Sequence, residues 1–372
     1  MTMVRGPSDE STPTLRGSDP DVVRTAIETG ESLPGTRGFA GEIDGRLVRD
    51  VLGRQPLFLD GDDPDEWAFD RANLTDPTPL PAGQVVDPDG TRRGVWSLPG
   101  PVPRDGSAAV AGLGEAIDAS LANVGCDGLA IAFSGGIDSA LLAARLDVPL
   151  YVAGFPDSHD LKAARESARL LDREARVVEL DHDALLAGIP AVVRATGRTN
   201  AMDVGIALPL YLVAERAAAD GFDRLAVGQG ADELFGGYAK VARAPEDPRV
   251  EADTVRGARR EVLESLPDQL ERDVLALRGA GVEPIAPLLD DRVVRAALSL
   301  PGSLLVSDRD ERKYALRLAA REWLPDRVAF REKKALQYGS LVARELDRLA
   351  RQAGFKRRMD DHVTQYVESL VE

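Results

Sequence analysis

The stretch GLAIAFSGG (128–136) constrains the fold more than any other part of the chain. It is a short apolar run that ends in small residues, and a helix-like pattern follows it directly. Runs of this kind suit strands buried on both faces, as parallel strands are. The alternation continues through the strand-like PLYVAGF, the amphipathic DLKAARESARLLDRE and the strand-like ARVVEL. Helical spacing then fills 183–196 and 206–220, and FDRLAVGQG reads as a fourth strand. Strands separated by helices predict an α/β fold with a doubly wound parallel sheet. From about residue 250 the pattern is helical, over 250–279, 288–299, 311–323, 340–353 and 360–371, which predicts a helical C-terminal extension.

The N-terminal third has a different texture. Residues 1–20 are rich in Ser, Pro, Thr, Asp and Gly and read as a mobile tail. Between 21 and 100, short apolar stretches are broken by Pro, Gly and Asp, which signals strands and turns. DPDG (87–90), flanked by VV and GVW, predicts a hairpin turn. PGPVPRDG (99–106) reads as a linker, and 107–372 as the main domain.

Composition removes several function classes. The single cysteine, Cys126, excludes a disulfide framework and any CxxC metal or redox pair. No run of 18 apolar residues exists, and the first 20 residues lack a signal core, so a cytoplasmic protein is expected. The net charge of −16 repels nucleic acid and anionic lipid, so neither is an expected partner. Of 46 basic residues only six are lysine, at 162, 240, 313, 333, 334 and 356. An acidic, lysine-poor surface fits a halophilic cytosol, where salt screens the self-repulsion.

Two loops carry the chemistry. SGGIDS (134–139) lies between a strand and a helix, where glycines allow close approach and free helix amides face an anion. Ser134 and Ser139 add hydroxyl donors around Gly135 and Gly136. Asp138 would repel a phosphate unless a divalent cation lies between them. The GK[ST] ending of a Walker loop is absent. The second loop, GQGADELFGGY (228–238), again follows a strand. Taken alone, Asp232 and Glu233 at its helix start read as dipole-favoured acids. Beside SGGIDS at the carboxyl ends of a parallel sheet, Asp232 would share one crevice with Asp138.

SGGIDS resembles the pyrophosphate loop of the N-type ATP pyrophosphatases. With GFPDSHDLKAA (154–164) and GQGADELFGGY, in the same order and spacing, the chain is similar to asparagine synthetases over roughly 107–345. The resemblance implies ATP and Mg²⁺ as cofactors and AMP plus pyrophosphate as products. By it, Asp138 and Asp232 hold Mg²⁺, and Ala132, Ala153, Val227 and Gly228 line the nucleotide. Its C-terminal R-x-K pattern fits Arg331-Glu332-Lys333, which implies that Lys333 stabilises phosphate charge as a catalytic group. Lys313 is equally readable as a phosphate contact or as part of a solvated helix face.

The chain also departs from that pattern. Glutamine-using relatives carry a nucleophilic cysteine after the initiator Met, whereas Thr2 stands here. VLGRQPLFL (51–59), AFD (68–70), LPAG (80–83) and VWSLP (95–99) resemble only the second half of their amidotransferase domain. The resemblance therefore implies a truncated β-rich remnant with no glutaminase activity, and free ammonia as the nitrogen source. It leaves room for a separate glutaminase or a homodimer partner. Gln229 stands where the family has a glutamate thought to take a proton from the nitrogen; an amide orients but does not deprotonate. Gly205 or Ile206 stands where the family's arginine would pair with an aspartate carboxylate. L-Aspartate remains the first acceptor. An amide or lactam ligase for another acid, and a non-enzymatic ATP-binding regulator, stay open.

Overall fold

The computed structural model describes residues 14–244, 246–331 and 338–371. The N-terminal region opens with β1 (Leu15–Arg16) and α1 (Pro20–Thr29), followed by β2 (Ala40–Ile43) and β3 (Arg46–Arg49). It continues through β4 (Phe58–Asp60), β5 (Asp63–Ala68), β6 (Pro77–Pro79), β7 (Gln84–Val86) and β8 (Arg92–Gly94). These strands form two antiparallel sheets, ordered β1-β2-β3-β7-β8 and β5-β4-β6. The hairpin expected at 87–90 is present: β7 pairs with β8, and the Gly90 amide donates to the Asp87 carbonyl. Sequence reading missed α1. Its start is nonetheless encoded, because the Asp19 side chain caps the Asp21 amide and Pro20 opens the helix. Of the expected tail, Leu15 and Arg16 pair with Gly41 and Ala40.

The main domain begins with α2 (Gly106–Ala122) and β9 (Leu129–Ala132), then α3 (Ile137–Arg145), β10 (Leu150–Gly154) and α4 (His159–Leu170). It proceeds through β11 (Ala175–Glu179), α5 (His182–Thr196), α6 (Ala201–Ala219), β12 (Arg224–Ala226) and α7 (Ala231–Leu234). The helical extension holds α8 (Ala239–Ala242), α9 (Val255–Glu264) and α10 (Leu266–Gly279). Beyond β13 (Glu283–Ile285) come α11 (Asp291–Leu298), α12 (Gly302–Leu305), α13 (Tyr314–Ala320), α14 (Asp326–Ala329), α15 (Tyr338–Gln352) and α16 (His362–Ser369).

The five strands β11-β10-β9-β12-β13 lie in that order, all parallel, which confirms the doubly wound reading. β13 was missed: it is three residues long and contains Pro284, which as the outermost strand it tolerates. The chain passes from β9 to β10 on one side and returns to β12 on the other. The switch point therefore falls beside β9, where ligands bind in open α/β sheets.

Two buried arginines tie the N-terminal region to the main domain. Arg54 pairs with Asp50 at 2.8 Å and with Asp291 of α11 at 2.7 Å, and donates to the Leu289 carbonyl. Arg49 lies 3.7 Å from Glu271 of α10 while donating to the carbonyls of Gly53, Gln55 and Leu80. A charge this deep is tolerated because nearly every guanidinium donor has an acceptor.

Candidate active site

The two loops meet across the switch point. Gly228, just past β12, lies so near the first loop that a Cβ there would come within 2.8 Å of the Asp138 Cβ. Glycine is required at that contact, and it brings the second loop onto the first turn of α3. Gly135 has φ +72°, and a Cβ on it would fall 2.6 Å from the Ala164 Cα, so the first loop is seated directly on α4. The Ser167 hydroxyl of α4 donates to the Gly135 carbonyl at 2.9 Å.

Within SGGIDS the hydroxyls brace the turn. The Ser134 amide donates to Ser139 Oγ at 3.1 Å, and Ser139 Oγ donates to the Gly136 carbonyl at 3.2 Å. Gly136 precedes α3 and offers no side-chain cap, so no side chain occupies the helix's first amides. Ala132 ends β9 and pairs with Tyr151 of β10, with buried Ala153 two residues further along. Val227 is buried after β12, and its amide donates to the Ile285 carbonyl at 2.9 Å. All four expected nucleotide-lining positions thus sit at the carboxyl ends of adjacent strands.

Lys313 decides the electrostatics. It precedes α13 in the left-handed region (φ 57°), and its side chain is 4% exposed. Its Nζ donates to both oxygens of Asp138, at 2.8 and 2.7 Å, and lies 2.9 Å from Asp232 Oδ1. Burial alone would lower its pKa; the two carboxylates outweigh burial and hold it above the ordinary lysine value. The solvated-face alternative for Lys313 is thereby removed. Its ammonium marks the one point toward which Asp138 and Asp232 both aim.

These two carboxylates suit Mg²⁺. That ion takes one or two carboxylates and completes its shell with water and substrate phosphates. Among the described residues no group of three or more His, Cys, Asp or Glu could hold a metal without such a substrate.

Next to Asp232, buried Glu233 accepts a 2.5 Å hydrogen bond from the Tyr238 hydroxyl, and burial followed by the Asp232 charge pushes its carboxyl above the usual range. Sequence reading gave Glu233 only a dipole-favoured place at the helix start and Tyr238 no part; the ELFGGY spacing that joins them was the available signal. Gln229 Nε2 donates to Asp273 Oδ2 of α10 at 2.6 Å.

Lys333 and Lys334 lie outside the described residues. Arg331, just before them, is described, and it is an anchor: it donates to the Ala163 carbonyl at 2.7 Å and to Ser167 Oγ at 2.6 Å, and pairs with Glu166. Through Ser167, Arg331 is joined to the Gly135 carbonyl of the first loop.

A parallel sheet whose two loops meet at its switch point, beside paired carboxylates and a buried lysine, defines an open α/β domain. The asparagine synthase family matches this chain over residues 127–260 and 240–370, and the chain belongs to that family. A Methanocaldococcus jannaschii protein named as a glutamine-hydrolyzing asparagine synthetase is 32% identical over 283 residues, covering 66% of this chain and 52% of the relative. Asparagine synthetase B of Escherichia coli is 26% identical over 229 residues, covering 56% and 41%. The chain spans about half the length of the curated relatives it matches.

Proposed function

We propose that the chain joins a carboxylic acid to a nitrogen nucleophile at the expense of ATP, releasing AMP and pyrophosphate. The observation that carries this reading is the convergence of Asp138, Asp232 and Lys313 beneath the two loops. A carboxylate oxygen attacks the α-phosphorus, the bond to pyrophosphate breaks, and an acyl-adenylate forms. The nitrogen lone pair then attacks the acyl carbon, and AMP departs. Ser134, Gly135, Gly136 and Ser139 cradle the phosphates, while Asp138 and Asp232 would hold Mg²⁺. When bound, that ion would supply positive charge for the phosphates and the leaving group. Lys313 adds a compact ammonium beside the two aspartates, and Lys333 is assigned the matching role from the R-x-K resemblance alone.

The first acceptor is L-aspartate and the first nucleophile is ammonia. A specific observation keeps a second acid in play. Gly205 faces open space, with nothing within 4 Å of where its Cβ would be, and neighbouring Ile206 is 40% exposed. No cationic side chain occupies either position for the second carboxylate of aspartate. Residues 21–100 we read as a remnant that supports the main domain by packing through Arg49 and Arg54. The one cysteine, Cys126, is exposed and precedes β9.

The test is pyrophosphate release with ATP, Mg²⁺ and ammonia across a panel of acids, with glutamine replacing ammonia in a parallel series. Aspartate should give the fastest release, and the purified protein should form no glutamate from glutamine. Faster release with another acid replaces aspartate as acceptor. Glutamate formation overturns the ammonia reading, and no stimulation by any acid overturns adenylation.

A further inference from the structure

α10 is held between the N-terminal region and the second loop. Around the helix, Pro267, Glu271 and Arg278 fall within about 40° of one another, and Gln269 and Asp273 fall on the other side. The N-terminal region takes the first face. A Cβ on Gly53 would lie 3.0 Å from the Pro267 Cβ, Arg49 Nη2 lies 3.7 Å from Glu271 Oε2, and Arg278 Nη2 donates to Gln55 Oε1 at 2.6 Å. The second loop takes the other face, at both of its ends. Gln229 Nε2 donates to Asp273 Oδ2 at 2.6 Å, and the Tyr238 hydroxyl lies 3.3 Å from Gln269 Oε1. Asp232 sits in the stretch between those two clamped residues.

The two faces are also joined by charge. From Arg49 the pairs run to Glu271, then to Arg198 at 3.3 Å, Asp203 at 3.2 Å, Arg272 at 2.9 Å and Asp273 at 2.7 Å, and Asp273 holds Gln229. Arginines and carboxylates alternate along this set, and Asp203, Glu271, Arg272 and Asp273 are buried. Removing one member leaves a buried charge that the remaining partners must turn toward. Arg49 is the member that the N-terminal region supplies. It is 2% exposed, and the carbonyls of Gly53, Gln55 and Leu80 fix its guanidinium in place.

We propose that Arg49 is a positioning residue for Asp232, acting through α10 on the two ends of the second loop. The N-terminal region then shapes the site as well as packing beside it. Without Arg49, Arg198 is drawn toward Glu271 and away from Asp203, and the change passes through Arg272 to Asp273 and Gln229. The loop ends follow, and Asp232 leaves the point where it meets Lys313 beside Asp138. A displacement of about 1 Å at a reacting site costs up to roughly 100-fold in rate. The effect expected on a metal rests on the reading that Asp232 holds Mg²⁺; the effect expected on the loop does not.

Arg49→Met and Glu271→Gln each break the link, and either one suffices if the other fails to fold. Leu59→Ala is the control, because Leu59 of β4 lies in a cluster built of N-terminal residues alone. Below the melting temperature of every variant, amide hydrogen exchange over 228–238 reports the loop. The Mn²⁺ electron paramagnetic resonance signal with ATP present reports the carboxylate pair. Both link variants should speed exchange in the loop, weaken Mn²⁺ binding roughly tenfold and lower kcat for pyrophosphate release by a similar factor, the scale of one misplaced charged contact. The double variant should match the single ones, since both remove the same pair. Leu59→Ala should lower the melting temperature and leave all three readouts within about twofold of wild type, because sites that share no partner act independently. Wild-type loop exchange in the link variants would overturn the proposal, and so would equal losses in Leu59→Ala. Mn²⁺ binding that Asp232→Asn leaves unchanged would instead overturn the metal reading, with hydrogen exchange in the loop still deciding the role of Arg49.

Discussion

Asp138→Asn and Asp232→Asn should each lower pyrophosphate formation by at least about 100-fold, the scale of removing one preorganised electrostatic contact. Both carboxylates reach the same lysine nitrogen, at 2.7 and 2.9 Å, so they serve one locus of positive charge. The double variant should therefore be little slower than either single variant, because groups acting as a unit are grossly non-additive. Single-turnover kinetics with saturating ATP checks this. Mild, additive losses would mean that the two aspartates only favour their helix starts.

Lys313→Met carries the second large effect, on stability as well as on rate. The substitution removes the ammonium and leaves two carboxylates facing each other, with side-chain exposures of 14% and 23%. Breaking a buried pair by deleting one partner costs on the order of 3–5 kcal/mol. The variant should unfold at a clearly lower temperature and lose at least about 100-fold in turnover. Mg²⁺ without nucleotide should then restore part of the lost thermal stability, because the vacated point between the carboxylates suits a cation. The wild-type protein should show no such response, since its own ammonium fills that point. Thermal melts across a Mg²⁺ series decide the matter. A variant as stable and as fast as wild type would return Lys313 to an ordinary packing role.

Lys313 also shows where sequence reasoning stopped. Its partners lie at 138 and 232, and nothing local in ERKYALRL points inward; the scarcity of lysine was the only hint. The two loops, by contrast, were legible. Strand-loop-helix context and small residues fix what SGGIDS and GQGADE can do locally, and the parallel topology then brings them together. β9, β10 and β12, the strands inside the sheet, were readable because apolar runs such as LAIA are buried on both sides. β13 was not, because three residues including a proline carry too little pattern. The Gln229–Asp273 contact joins residues 44 positions apart, beyond any motif. The R-x-K spacing at 331–333 said nothing of Arg331 itself, which is bound to α4 through Ala163, Glu166 and Ser167.

The central claim is that a carboxylate oxygen attacks the α-phosphorus of ATP before nitrogen arrives. Supplying the acceptor acid with ¹⁸O in its carboxylate and analysing the nucleotide product by mass spectrometry tests it most directly. Formation and breakdown of an acyl-adenylate predicts AMP that carries one ¹⁸O atom for each amide made, with unlabelled pyrophosphate. Label in inorganic phosphate with ADP as the nucleotide product, or AMP free of label, would contradict it.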